Sequence, residues 1–179
     1  MKRVALGLSV ASLMALAIFC TPAAIANQWN EKTIWTFSQP VEIPGMVLPA
    51  GTYVFKLADS TSNRDIVQIF NKDENHIYAT ILAIPDYRLQ PTGHPVIEFE
   101  ERPSKSPQAV LAWFYPGRNF GEEFVYPYDK AAEIARRTGH PVLFTRDVVS
   151  GNGIRSASVK AITPSGEEED MDKAVTTHR

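Results

Sequence analysis

The chain has 179 residues, with 18 basic and 20 acidic side chains and a formal charge of −2. No basic stripe is present, which argues against a nucleic-acid partner. Its single cysteine, Cys20, excludes an internal disulfide framework and a multi-thiolate metal site.

The first residues read as a targeting segment. Lys2 and Arg3 are basic, Val4 to Phe19 is apolar, and Ala24-Ile25-Ala26 supplies a small-x-small cleavage pattern. A signal peptide over 1–26 is therefore expected. The apolar run is short for a membrane span, and Thr21-Pro22 breaks it. A lipid anchor on Cys20 ranks second, because the bulky Phe19 precedes it. The expected product is exported, periplasmic or extracellular, with no transmembrane segment after cleavage. It keeps 153 of the 179 residues, and 16 basic residues (18 less Lys2 and Arg3) face 20 acidic ones, a charge of −4. That length suffices for one domain burying about two-thirds of its unfolded surface.

Period-two alternation dominates the middle of the chain. Thr33, Trp35 and Phe37 oppose Ile34 and Thr36, which predicts a first strand. Pro44-Gly45 favours a type II turn, with glycine at the third position. Leu48-Pro49-Ala50-Gly51 reads as a three-residue hairpin loop closed by a left-handed Gly51. After it, Tyr53, Phe55 and Leu57 oppose Thr52, Val54 and Lys56. Asp65 to Phe70 is a further strand, Asn71 to Asn75 a turn, and His76 to Ile84 a strand apolar on both faces that Pro85-Asp86 ends. Val96 to Glu101 alternates again, with Ile97 and Phe99 inward and Glu98 and Glu100 outward. Gln108 to Tyr115 is strongly aromatic, and a short strand over Phe124 to Tyr126 completes six or seven. Turn-punctuated strands at this spacing predict one antiparallel β-sandwich or partly open β-barrel.

One segment departs from that pattern. Tyr128, Ala131, Ile134, Ala135 and Thr138 fall on a helical stripe, with proline at the start, arginines in the last turn and Gly139 beyond. This predicts one short helix over about 127–138, packed on an open end or edge of the sheet. Val142 to Phe144 is a possible returning strand. The β domain is placed at 27–146, and 147–179, with Glu167 to Asp170, reads as a flexible, disordered acidic tail.

Several constellations bear on function. Thr92-Gly93-His94-Pro95-Val96 recurs as Thr138-Gly139-His140-Pro141-Val142. His94 and His140 would need a third ligand to hold zinc, and no recognised ligand spacing supplies one, so neither a metal nor a cofactor is assigned. Glu98 and Glu100 share a strand face and form the alternative reading, a carbohydrate hydrolase working through paired carboxylates. A third reading is a lipocalin-like carrier whose apolar cavity is lined by Tyr53, Phe55, Trp113 and Tyr115. Nucleophile elbows, phosphate loops and EF-hand spacing are absent. The leading expectation is a non-catalytic β module that binds a small molecule or an envelope component. Its candidate ligand-binding residues are Asp86, Arg88, His94, Trp113, Tyr115 and His140.

The segments VEIPGMVLPAGTYVFKLADS, IVQIFNKDENHIYATILAIPDYR and AWFYPG together resemble a family of uncharacterised exported bacterial proteins. The resemblance covers most of Trp29 to Val142. It implies a signal peptide and one small β-rich domain, and it transfers no catalytic residue.

Overall fold

The computed structural model describes residues 26–27, 31–61, 64–100, 106–147 and 151–171. The expected signal peptide lies outside them except for Ala26, and Cys20 with it. The chain is mostly β. Ten strands form one sheet in the order β1 (Ala26–Asn27), β2 (Lys32–Phe37), β5 (Gly51–Thr61), β6 (Arg64–Asn71), β7 (Ile77–Tyr87), β10 (Phe120–Phe124), β9 (Gln108–Phe114), β3 (Val41–Ile43) and β4 (Met46–Leu48). The tenth, β8 (Val96–Phe99), also pairs with β9. Within this sheet all pairings are antiparallel except β3 with β9.

The sheet curls on itself. β5 and β10 stand three strand positions apart, a separation of about 14 Å in a flat sheet. Yet the rings of Phe55 and Phe124 are 6.4 Å apart, and Phe55 meets Trp113 of β9 edge-on at 6.0 Å. Phe37 of β2 lies 6.3 Å from Phe99 of β8, so the two ends of the sheet close side chain to side chain. The product is a partly open barrel, and its interior takes every second residue of each strand. Thr33, Trp35 and Phe37 are the inward set of β2, and Tyr53 and Phe55 that of β5, as the alternation predicts. Aromatic packing fills this interior.

The helix α1 (Tyr128–Thr138) follows the predicted signals. Pro127 precedes it, Arg136 and Arg137 sit in its last turn, and left-handed Gly139 ends it, its N–H donating to the Ala135 carbonyl. Ala131, Ile134 and Ala135 join the main core. Lys130 pairs with Glu42 at 2.9 Å and Arg137 with Glu100 at 2.7 Å, which ties the helix to β3 and to the residue that follows β8.

Four sequence expectations are corrected. First, Leu48 to Gly51 is not a hairpin loop. β4 pairs with β3 across Pro44-Gly45, where Gly45 has φ +87°, and β5 pairs with β2 and β6 instead. Gly51 is not left-handed. It is opposite Phe37 and carries the Tyr53 ring, which a Cβ would meet at 3.4 Å, while the Tyr53 hydroxyl donates to the Pro49 carbonyl at 2.8 Å. The segment is a corner that passes the chain from one edge of the barrel to the other.

Second, Pro85-Asp86 does not end β7, which runs on to Tyr87. Past Ala83 the strand pairs only with β10, so one side of the ladder is open and a proline is tolerated there. Third, the strand expected from Phe124 begins earlier, as β10, and continues as β11 (Tyr126–Pro127).

Fourth, the expected disordered tail is structured over 151–171. β11, β12 (Val142–Thr145), β13 (Lys160–Ile162) and β14 (Glu168–Asp170) form a second sheet, with a 3₁₀ turn at Gly151–Ser156. Leu143, Ile154, Ala157 and Ala161 pack against Ile66, Leu82 and Ile84 on the outer face of the barrel. Both faces of β7 are covered over Ile81 to Ile84, which accounts for the apolar residues there, whereas Ile77 and Tyr78 stay exposed. The acids of 167–170 are the exposed side of a hairpin, where Glu168 pairs with Arg146 at 2.7 Å and Lys160 at 3.3 Å.

Candidate functional site

At one end of the barrel the interior face turns polar. On β10, Phe120, Glu122 and Phe124 share the inward face, and Glu122 pairs with Trp113 of β9. Phe124 is opposite Ala83 of β7, and Ala83 is opposite Asp65 of β6. Glu122 and Asp65 therefore approach diagonally across β7. Their carboxyl groups are hydrogen-bonded to each other. Both are buried, at 4% and 3% exposure.

Burial raises the Glu122 carboxyl to about 9, with the hydrogen bond to Asp65 and the Asp65 charge adding to the rise. Glu122 thus holds its proton at neutral pH and donates it to Asp65. This is the arrangement expected when two carboxyls share one site.

A shallow surface cleft, with no room for a water molecule inside it, adjoins Glu122. Trp113, Tyr115 and Phe120 wall it, and Glu31, Arg118 and Glu122 bring charge or polar atoms to it. Arg118 donates to Glu31 at 2.5 Å and lies 4.8 Å from the Phe120 ring centre. Glu31 holds a left-handed backbone, φ +43°, uncommon for a side chain other than glycine, asparagine or aspartate. Its carboxyl is raised by burial and by Asp65, against the lowering influence of Arg118. Burial also raises the Tyr115 hydroxyl, and the Glu31 charge adds to it. Gly121 completes the lining, where a Cβ would collide with the Phe114 ring and come within 2.6 Å of the Trp113 carbonyl.

Trp113 Nε1 is buried here without a hydrogen-bond partner, and the buried Glu122 Oε2 and Asp65 Oδ1 have none outside the carboxyl pair itself. Trp113 is only 1% exposed. Leaving a donor or acceptor in that state costs about 1–3 kcal/mol each. Native structures rarely tolerate it without water, a ligand or a function. Chemically, the site can donate one hydrogen bond from the indole and exchange one proton at the carboxyl pair.

The residues nominated from sequence do not form one site. Trp113 and Tyr115 belong to the cleft. Asp86 and Arg88 stand on the outer face of the same strands. There the Arg88 guanidinium lies 4.6 Å from the Phe114 ring centre and donates to Thr92 Oγ1 at 3.0 Å and the Arg118 carbonyl at 3.1 Å. Glu98 and Glu123 share that face. Partial desolvation by its neighbours raises the surface-reaching Glu98, with Asp86 adding to it, and desolvation with Asp86 and Glu98 raises Glu123 to about 8. His94 and His140 are exposed, each in a turn that feeds a strand. In both copies of the repeat the threonine hydroxyl donates to the histidine carbonyl, Thr92 to His94 at 2.5 Å and Thr138 to His140 at 3.4 Å. The repeat is thus one turn used twice, before β8 and before β12.

The two carboxylates of the hydrolase reading occupy different surroundings. Glu98 is exposed, whereas Glu100 is buried with its carboxylate on Arg137. Tyr53, Phe55, Trp113 and Tyr115, the proposed lining of an apolar carrier, are packed into the filled core. Among the described residues, no group of three or more His, Cys, Asp or Glu is placed to hold a metal ion. No helix there is long and apolar enough to cross a membrane.

Glu31, Asp65, Arg118 and Glu122 were not nominated from sequence. A signal for Glu122 exists: if Phe120 to Phe124 is read as a strand, alternation puts Glu122 on the face of two phenylalanines. Asp65 and Glu31 join it only through tertiary placement. Comparison with protein-family models, with curated proteins and with solved structures finds no match in any of the three.

Proposed function

We propose that this protein is an exported, non-catalytic β module that takes a small polar ligand into the cleft at the barrel end. The observation that carries the reading is the buried, unpartnered Nε1 of Trp113, a residue that lines the surface cleft together with Glu122. Aromatic walls with a few convergent polar atoms are the common lining of such sites.

Native mass spectrometry of the protein recovered from the periplasm or culture medium of its source cells tests this. The wild type is expected to retain a small adduct that Trp113→Phe and Arg118→Gln both weaken. A bare wild-type protein would count against the reading, as would an adduct indifferent to both changes.

A further inference from the structure

We propose that the Arg118 side chain is a gate at the barrel end, closed onto Glu31 in this structure, and that its opening controls access to Trp113. This inference rests on the cleft reading above and says how the site is entered.

The need for a gate is steric. Closed, the cleft has no room for a water molecule, and Arg118 fills it beside Trp113, Tyr115, Phe120 and Glu122. Trp113 and Tyr115 are buried in the core, whereas the Arg118 side chain is 39% exposed. Arg118 is therefore the long side chain here that solvent can receive. Swinging it outward vacates the volume of its own stem and guanidinium, next to the indole.

Topology makes this ion pair a closure rather than a neighbour contact. Glu31 precedes β2 and Arg118 precedes β10, which stands four places from β2 in the order β2-β5-β6-β7-β10. Four places span about 19 Å in a flat sheet. The pair meets at 2.5 Å only because the sheet curls, so it bridges the mouth of the barrel.

The post of the gate is fixed and its leaf is not. The Arg118 carbonyl accepts from Arg88 Nη2 at 3.1 Å, and Arg88 in turn lies 4.6 Å from the Phe114 ring centre. The same turn is tied down by the Gly117 N–H, which donates to the Thr92 carbonyl at 2.8 Å. The guanidinium, by contrast, is held by Glu31 and by the Phe120 ring at 4.8 Å. A part-exposed ion pair contributes little and is screened by salt. A cation over a ring at such a site adds little more. Exposed side chains change rotamer in picoseconds to nanoseconds, so the gate can open while the barrel keeps its fold. Closing behind a bound molecule slows its escape, which makes Arg118 a determinant of retention.

The test is solvent exchange of the indole N–H protons, followed by NMR on the wild type and on Glu31→Gln. Trp113 is assigned by comparison with Trp113→Phe, and Trp35, which does not line the cleft, is the internal control. Glu31→Gln keeps the size of the catch and removes its charge. It should speed Trp113 exchange about fivefold, the factor carried by a part-exposed ion pair. In the wild type, about 1 M sodium chloride should act in the same direction by screening the pair. Trp35 exchange should stay unchanged in both experiments.

Trp113 exchange that responds to neither the variant nor the salt overturns the gate. So does a response that Trp35 shares, because it reports loosening of the whole fold. Native mass spectrometry separates this outcome from the cleft reading. A wild-type adduct that Glu31→Gln retains undiminished, with Trp113 exchange unchanged, overturns the gate and leaves the cleft. Faster Trp113 exchange alone, in a protein that carries no adduct, upholds the gate and removes the ligand reading.

Discussion

Replacing Glu122 with glutamine should make the protein more stable, and by an amount that grows with pH. In the folded chain the Glu122 carboxyl titrates at about 9, against 4.5 for an ordinary glutamate. The folded state therefore holds a proton that the unfolded chain gives up, and stability falls as pH rises from about 4.5 towards 9. At pH 5 ionisation favours the unfolded chain by about 1 kcal/mol, and at pH 8 by about 5 kcal/mol. The wild type should thus lose about 4 kcal/mol through this one residue between those pH values.

Glutamine fills the same space, and its amide can donate to Asp65 as the protonated acid does. Glu122→Gln should therefore be near neutral at pH 5 and stabilising by about 4 kcal/mol at pH 8. Other raised acids, such as Glu123, act alike in both proteins and cancel in the difference. Urea unfolding at each pH, extrapolated to water, measures it. An identical difference at pH 5 and pH 8 would show that Glu122 does not hold its proton, and would remove the shared-proton account of the site.

Other perturbations follow from the packing. Gly121→Ala should destabilise by about 1–3 kcal/mol, seen as a lower melting temperature, because its Cβ meets the Phe114 ring and the Trp113 carbonyl. Phe55→Ala removes the ring that joins β5 to β9 and β10 and should cost about 3–5 kcal/mol in urea unfolding. Tyr126→Phe loses the hydroxyl that donates to the Val110 carbonyl at 2.8 Å, a loss of about 1 kcal/mol by the same assay. Ending the chain after Asp147 should lower the melting temperature and raise binding of a hydrophobic dye, because it uncovers Ile66, Leu82 and Ile84. An unchanged melting temperature would return 151–171 to the status of a dispensable tail.

Fold class was legible because alternation is a local property. Thr33 to Phe37 and Tyr53 to Leu57 each declare an inward face within six residues, and the helix announces its ends through Pro127, Arg137 and Gly139. Pairing was less legible. Nothing local to Leu48 to Gly51 says that β5 leaves β4 for β2, because that choice is made by Phe37, Tyr53 and Phe55 packing inside the barrel. The acidic end misled because Glu167 to Asp170 has the composition of a solvated tail. Its partners on the barrel, Ile66 and Leu82, lie some eighty residues or more away.

The candidate site was half visible for a similar reason. Trp113 and Tyr115 advertise themselves as aromatic residues on one strand face. Asp65 and Glu122 are two ordinary acids, one next to an arginine and one in a Glu-Glu pair, until β7 brings them together.

The central claim is that the barrel-end cleft receives a ligand beside Trp113. It is tested most directly by the indole N–H resonances of the protein, which has three tryptophans. They are followed as ethanolamine, glycerol and acetate are added in turn. The account predicts a saturable shift of the Trp113 resonance with at least one probe, while Trp35, which does not line the cleft, stays in place. A Trp113 resonance that no probe moves, or one that moves only together with Trp35, would contradict it.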